Sequence, residues 1–356
     1  MGDPKRVPGT LYVNRDRDFR TQLWGPYVKI GIVRQDRTAE ARNKEHQTGN
    51  PREVVTVEQL ESPMVEHLET QLHHRFATRW VSGEWFEMEQ TFVRDTLLPE
   101  ARQIIDEQHA FFADFESKAA LKSTESTGQV RTPTSEETEV YGHIVAAKEA
   151  LNVAKAVKEL ADLKLRELLG TAAGVDGIIH LQQKSSKPVF DRRELEKSRP
   201  DLHAEFWIEK PDKISGSPRV AGFRSLKNID EDLSDRLKQC RKNKSKISPQ
   251  QAKTGRTAKR SADAMAAHAT YVASLAAVAR AEWDSDRWTA RLLGLLGKDE
   301  SIEDQITWKR ALKSQGSFDT ERFKQEYPDL YAQYLRPESH SVAVDIHSHR
   351  PYPLAD

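Results

Sequence analysis

Cysteine is almost missing from this chain. Cys240 is the single thiol in 356 residues, which excludes an intramolecular disulfide and a thiolate zinc cage. Beside Arg241 and Lys242 that thiol could ionise early, but an incidental exposed thiol is the preferred reading. Net charge is missing too. The 55 basic residues balance 55 acidic ones, so the chain is no globally basic nucleic-acid binder, and any phosphate footprint must be local. No apolar run approaches the roughly 18 residues of a membrane span. The opening Met1-Gly2-Asp3-Pro4-Lys5-Arg6 lacks the apolar core of a secretory signal. A cytoplasmic protein without membrane contact is the expectation. What abounds is charge, 31% of residues, over a length that calls for two or three domains.

In chain order, residues 10–13 and 27–33 are short β-branched and aromatic runs that read as two strands, joined by a charged hairpin over 14–25. A helix follows near Thr38, capped by Asp36 or Thr38 and containing Arg42, and Thr48-Gly49-Asn50-Pro51 stops it. Residues 54–60 read as a third strand. Ser62-Pro63 opens a second helix running to about Phe76, in which Glu69 and His73 share one face. Trp85-Phe86 anchor a short segment, and 91–112 is a further amphipathic helix. The Ser/Thr/Glu/Gly-rich stretch 123–137 reads as a linker.

Beyond it the sequence repeats itself. Phe190-Asp191 followed by Pro200-Asp201-Leu202 recurs as Phe318-Asp319 followed by Pro328-Asp329-Leu330, and Leu168-Leu169-Gly170 recurs as Leu295-Leu296-Gly297. Helix positions Ile144, Leu151, Leu165 and Leu168 line up with Tyr271, Val278, Leu292 and Leu295. Each copy reads as a long helix, a glycine break, a short strand, a small helix after Phe-Asp, and an aromatic strand beginning at Phe206-Trp207-Ile208 or at Tyr331. The expected fold is therefore α+β: a small three-stranded antiparallel sheet with flanking helices, then two repeated helix-plus-short-strand modules. The expected domains are 1–115, a linker at 116–138, a first repeat at 139–228, a basic linker at 229–262 and a second repeat at 263–356. Residues 236–260 are dense in Lys and Arg and read as a mobile segment. Arg241, Lys242, Lys244 and Lys246 there either contact nucleic-acid phosphates by counterion release or form a solvated spacer.

The N-terminal residues suit phosphodiester hydrolysis, which needs a base for water, neutralisation of the pentacoordinate phosphate and a metal for the leaving oxygen. Tyr12 and Tyr27 sit on neighbouring strands and could supply or relay the base. Lys29 shares a strand face with Tyr27 and could shift a phenol. Arg42 offers a planar, permanently charged fork, and Glu69 one carboxylate for a single Mg²⁺ that keeps most of its waters. Singly, each has an ordinary explanation: a strand tyrosine packs against its neighbours, and a helix arginine decorates a solvated face.

Together these residues resemble the GIY-YIG endonuclease family, most closely the phage and fungal branch whose second motif reads Lys-Ile-Gly. Leu11-Tyr12, Lys29-Ile30-Gly31, Arg42 before Gln47-Thr48-Gly49-Asn50-Pro51, Glu69-x-x-Leu72-His73 and Gly83-Glu84-Trp85-Phe86 follow that order over residues 10–88. The resemblance implies a metal-dependent nuclease, with Mg²⁺ or Mn²⁺ on Glu69, Arg42 on the phosphate and Tyr12 as base or relay. Because Lys29 stands where most members have tyrosine, Tyr12, Tyr27 and a lysine-activated water all stay open as the base. His73 either bonds substrate or a metal water, or packs; Glu84 reads as structural. Gln305-Ile306-Thr307-Trp308-Lys309, Ser317-Phe318-Asp319 and Pro328-Asp329-Leu330-Tyr331 with Tyr334 resemble the accessory region of YqaJ-type phage exonucleases. That implies a DNA-engaging or assembly module without a second active site. His347 and His349 alternate as if on one strand face, with too few ligands for a metal.

The expected function is a divalent-metal-dependent DNA endonuclease of phage or prophage origin. A non-catalytic DNA-binding protein on the same fold is the alternative. A phage-type interaction scaffold is a third reading, supported by the neutral net charge and by exposed aromatics such as Trp207 and Trp308.

Overall fold

The computed structural model describes residues 6–34, 38–48, 50–243 and 247–349. The N-terminal part is one antiparallel sheet with helices against it. Its elements are β1 (Gly9–Arg17), β2 (Trp24–Arg34), α1 (Ala39–Gln47), β3 (Glu53–Ser62), α2 (Val65–Arg75), β4 (Trp80–Ser82) and β5 (Trp85–Glu87). The sheet has five strands in the order β3-β1-β2-β5-β4, where three were expected. The two additions flank the Gly83-Glu84 turn and are three residues each, too short to show an alternating pattern in sequence. Leu11, Val13, Val28, Ile30 and Phe86 point to one face and bury against Val65, Leu68 and Leu72 of α2.

The chain leaves through α3 (Gln90–Phe92), a π-turn at Val93–Leu97 and α4 (Leu98–Leu121). Pro99 stands at the start of α4 and has no N–H to give the carbonyl four residues back, which accounts for the widened turn. The first half of α4 completes the sheet's core through Ala101, Ile104 and Ile105. Its second half packs Phe111 and Phe112 on Trp283.

The rest of the chain comprises β6 (Val130–Arg131), α5 (Ser135–Leu168), β7 (Gly174–Val175), β8 (Ile179–Ser186), β9 (Val189–Phe190), α6 (Arg192–Ser198), α7 (Pro200–Glu205), β10 (Trp207–Ser215), β11 (Arg219–Val220), α8 (Leu226–Ile229) and α9 (Glu231–Lys242). There follow α10 (Pro249–Lys253), β12 (Thr257–Ala258), α11 (Ala262–Leu296), β13 (Ser301–Ile302), β14 (Ile306–Thr307), β15 (Ala311–Phe318), α12 (Thr320–Glu326), α13 (Pro328–Gln333), β16 (Leu335–Arg336) and β17 (Ser339–Ile346). The helices α5 and α11 lie antiparallel. The start of α5 packs on the end of α11 through Val140, Ile144, Leu292 and Leu296, and its end packs on the start of α11 through Leu165, Leu169 and Ala264.

Strand pairing between the two halves is reciprocal. β6 pairs in parallel with β13, and β12 with β7; β8 pairs with β17, and β10 with β15. Four short helices meet around Leu195, Leu202, Phe206, Phe318 and Phe323. There the Asp191 amide donates to the Tyr334 carbonyl and the Asp319 amide to the Phe206 carbonyl, each at 2.8 Å.

Several local expectations change. Tyr331 lies in α13 and not in a strand, because Pro328 starts a helix turn that only ends at Tyr334. Trp308 is 1% exposed, a core residue and no docking aromatic, whereas Trp207 is exposed. The basic stretch is helical as far as Lys242: Asp230 caps α9, whose Leu233 and Leu237 pack on α5. The reading of 123–137 as linker meets β6 and a capping box at Thr134 and Glu137, with Arg131 forked onto Glu137 at 2.5 and 2.8 Å. Among the described residues, no helix is long and apolar enough to cross a membrane.

Candidate active site

Strand alternation creates the site. With Leu11 and Val13 committed to the core, Tyr12 must point to the opposite face of β1, directly across from Gly31 of β2. A Cβ on Gly31 would overlap the phenol oxygen, so the glycine is what lets the ring lie there. By the same alternation Lys29 faces this side while Val28 and Ile30 are buried. Helix α1 then covers the phenol. Thr38 caps it by accepting from the Ala41 amide, and Arg42 and His46, four apart, fall on one face. The Tyr12 hydroxyl lies 3.1 Å from His46 Nε2. Arg42 hydrogen-bonds the same phenol and also donates to Glu45 at 2.6 Å. The Lys29 ammonium is held by Glu84 at 2.6 Å. Glu69 of α2 is close enough that its charge couples to Tyr12, Lys29 and Glu84.

The environment separates these groups by protonation state. Burial, reinforced by the charge of Glu84, pushes the Tyr12 phenol up to about 12 against the pull of Arg42, so it is neutral near neutral pH. Burial and the neighbouring Lys29 and Arg42 charges lower His46, leaving a neutral imidazole able to accept a proton. Glu69 rises to about 7, first by burial and then by repulsion from Glu84, with Lys29 opposing. The hydrogen bond to Glu45 holds Arg42 charged.

Tyr12 and Arg42 therefore come together, with Lys29 and Glu69 within electrostatic reach. Tyr27 does not join them. It lies four residues from Gly31, about 13 Å along the strand, exposed on the same face. His73 is turned to the backbone: its Nε2–H donates to the Ile30 carbonyl at 3.0 Å and its ring packs on Phe86. Arg241 is forked onto Glu159 at 2.7 Å through both nitrogens, Lys242 is exposed at the end of α9, and Lys244 and Lys246 lie outside the described residues. The rings of His347 and His349 both lie against Trp80, beyond the end of β17.

Two members of the cluster escape a sequence reading. His46 was signalled only by its four-residue spacing from Arg42. Glu84 was signalled by a lysine between the buried Val28 and Ile30, since a buried ammonium needs a counter-charge.

Residues 9–105 match the family model of the T5orf172 domain. That is a nuclease-related domain family, and the similarity is confined to these residues, less than half of the chain. No curated protein and no solved structure matches the chain.

Proposed function

We propose that the chain is a divalent-metal-dependent DNA endonuclease of GIY-YIG type, from a phage or prophage. The observation that carries this reading is the Tyr12 hydroxyl held between His46 at 3.1 Å and the Arg42 guanidinium, with Glu69 within electrostatic reach. Arg42 and Lys29 hold the scissile phosphate and take up the charge that grows on its oxygens. Water gives a proton to the Tyr12 oxygen as Tyr12 passes its own to neutral His46 Nε2, and the water oxygen bonds to phosphorus. The departing oxygen takes a proton from solvent. Glu84 holds Lys29 in place.

One Mg²⁺ or Mn²⁺ would have Glu69 as its one protein ligand, since no group of three or more His, Cys, Asp or Glu that could hold a metal occurs among the described residues. A carboxyl held near 7 by burial and a second carboxylate marks a shortage of positive charge that a divalent cation relieves. Glu69 would hold it through oxygen, with water in the remaining positions. When bound, such an ion supplies charge to the departing oxygen. Purified protein with Mg²⁺ should nick or cut DNA, and Arg42→Ala should stop cutting while leaving thermal unfolding within about 2 °C, since the side chain is partly exposed. Wild-type protein inert on both single- and double-stranded DNA would remove the enzyme. That result would favour a non-cleaving DNA binder, a reading to which the 1% exposure of Tyr12 lends weight.

For the remaining chain we infer two copies of one module, 139–228 and 263–356, each completing its sheets with strands of the other. The pairings of β8 with β17 and of β10 with β15, and the matched amide–carbonyl bonds at Asp191 and Asp319, support it. Its role would be to hold substrate for the nuclease domain, which it meets where Arg280 and Trp283 of α11 bind Glu107.

A further inference from the structure

We propose that Tyr27 and Trp85 form a stacking platform for an unpaired nucleobase beside the phosphate site, so that the substrate strand is bound in locally single-stranded form. This rests on the nuclease reading for its position and extends it to the class of substrate. In the β2–β5 register Tyr27 is opposite Glu87 and Lys29 is opposite Trp85. Val28, Ile30, Phe86 and Met88 are buried, so Tyr27, Lys29, Trp85 and Glu87 share the other face, the one that carries Tyr12. Tyr27 and Trp85 are then diagonal neighbours across the strand pair, within reach of aromatic side chains. Lys29, the proposed phosphate contact, is next to both, about 7 Å from Tyr27 along the strand.

Tyr27 is 41% exposed, and neither it nor the half-buried Trp85 stacks on another aromatic ring among the described residues. A strand tyrosine that serves packing is normally covered by its neighbours; this one is open on the side where the substrate would lie. Aromatic faces interleaved with cations are what an unpaired strand needs: a surface for each base and charge for the intervening phosphate. A duplex hides its base faces and would gain nothing from this arrangement.

The chemistry separates this role from the alternative of Tyr27 as base. Stacking uses the ring, whereas proton transfer uses the hydroxyl. Full-length protein in EDTA is titrated with a fluorescein-labelled single-stranded oligonucleotide and, separately, with its duplex. Tyr27→Ala should weaken single-strand binding about 10-fold and leave duplex binding within twofold, and Tyr27→Phe should restore single-strand affinity. A 2-aminopurine in the single strand should lose fluorescence on wild-type protein and keep it on Tyr27→Ala. The platform is overturned if Tyr27→Phe is as damaging as Tyr27→Ala, if Tyr27→Ala binds single strands normally, or if it loses duplex and single strand alike. Binding in EDTA does not depend on cleavage. An inert wild type that still shows this pattern would sink the enzyme and keep the platform; a cutting wild type without the pattern would do the reverse.

Discussion

Replacing Glu69 by glutamine should make this protein more stable and, at the same time, inactive. Its carboxyl is raised from 4.5 to about 7 because the fold buries it and sets Glu84 beside it. A group whose pKa is raised on folding binds protons more tightly in the native state, so stability declines as pH rises from the unfolded value to the folded one. Below about 4.5 the effect vanishes, between 4.5 and 7 it grows, and above 7 it is complete. A rise of this size corresponds to at most about 3 kcal/mol, and partial solvent contact reduces it to roughly 1–2 kcal/mol. Glutamine keeps the shape and loses the charge. Calorimetric unfolding at pH 8 should therefore place Glu69→Gln about 2–4 °C above wild type, with the gap closing at pH 4.5. Added Mg²⁺ should raise the wild-type midpoint and leave the variant unmoved. A variant less stable than wild type at pH 8, or a gap of equal size at both pH values, would mean that Glu69 is a structural carboxylate with a partner, and the proposed metal position would fall with it.

Two further outcomes test the surrounding architecture. Gly31→Ala should displace the Tyr12 phenol, abolish cutting and cost about 1–3 kcal/mol; an active alanine variant would show that the phenol need not lie against β2. Glu137 is 2% exposed, caps α5 and is forked by Arg131, which holds its carboxyl at about 2. Glu137→Ala should cost about 3–5 kcal/mol in urea unfolding at pH 7. The wild-type advantage should fade as pH drops from 4.5 toward 2, because the depressed pKa stabilises only while the group is ionised; a gap constant with pH would point to lost packing instead.

The separate pieces of the nuclease-like domain were legible in the sequence because each depends on near neighbours. Thr38 caps α1 through an amide three residues on. Gly31 and Tyr12 announce themselves in strands whose alternation is local, and Arg42 and Glu69 lie in helices whose ends are marked. The matched spacings of 190–202 and 318–330 were visible for the same reason. Tertiary structure decided what no local rule contains. It ran β1 antiparallel to β2 in the register that sets Tyr12 over Gly31, four residues from Tyr27, and so divided two tyrosines that the sequence leaves equivalent. It brought Glu84 to Lys29 from 55 positions away, turned His73 onto a backbone carbonyl and buried Trp308. It also paired β6 with β13 and β12 with β7. Pairing, burial and charge coupling are properties of distances between residues remote in sequence, and a chain acquires those distances only by folding.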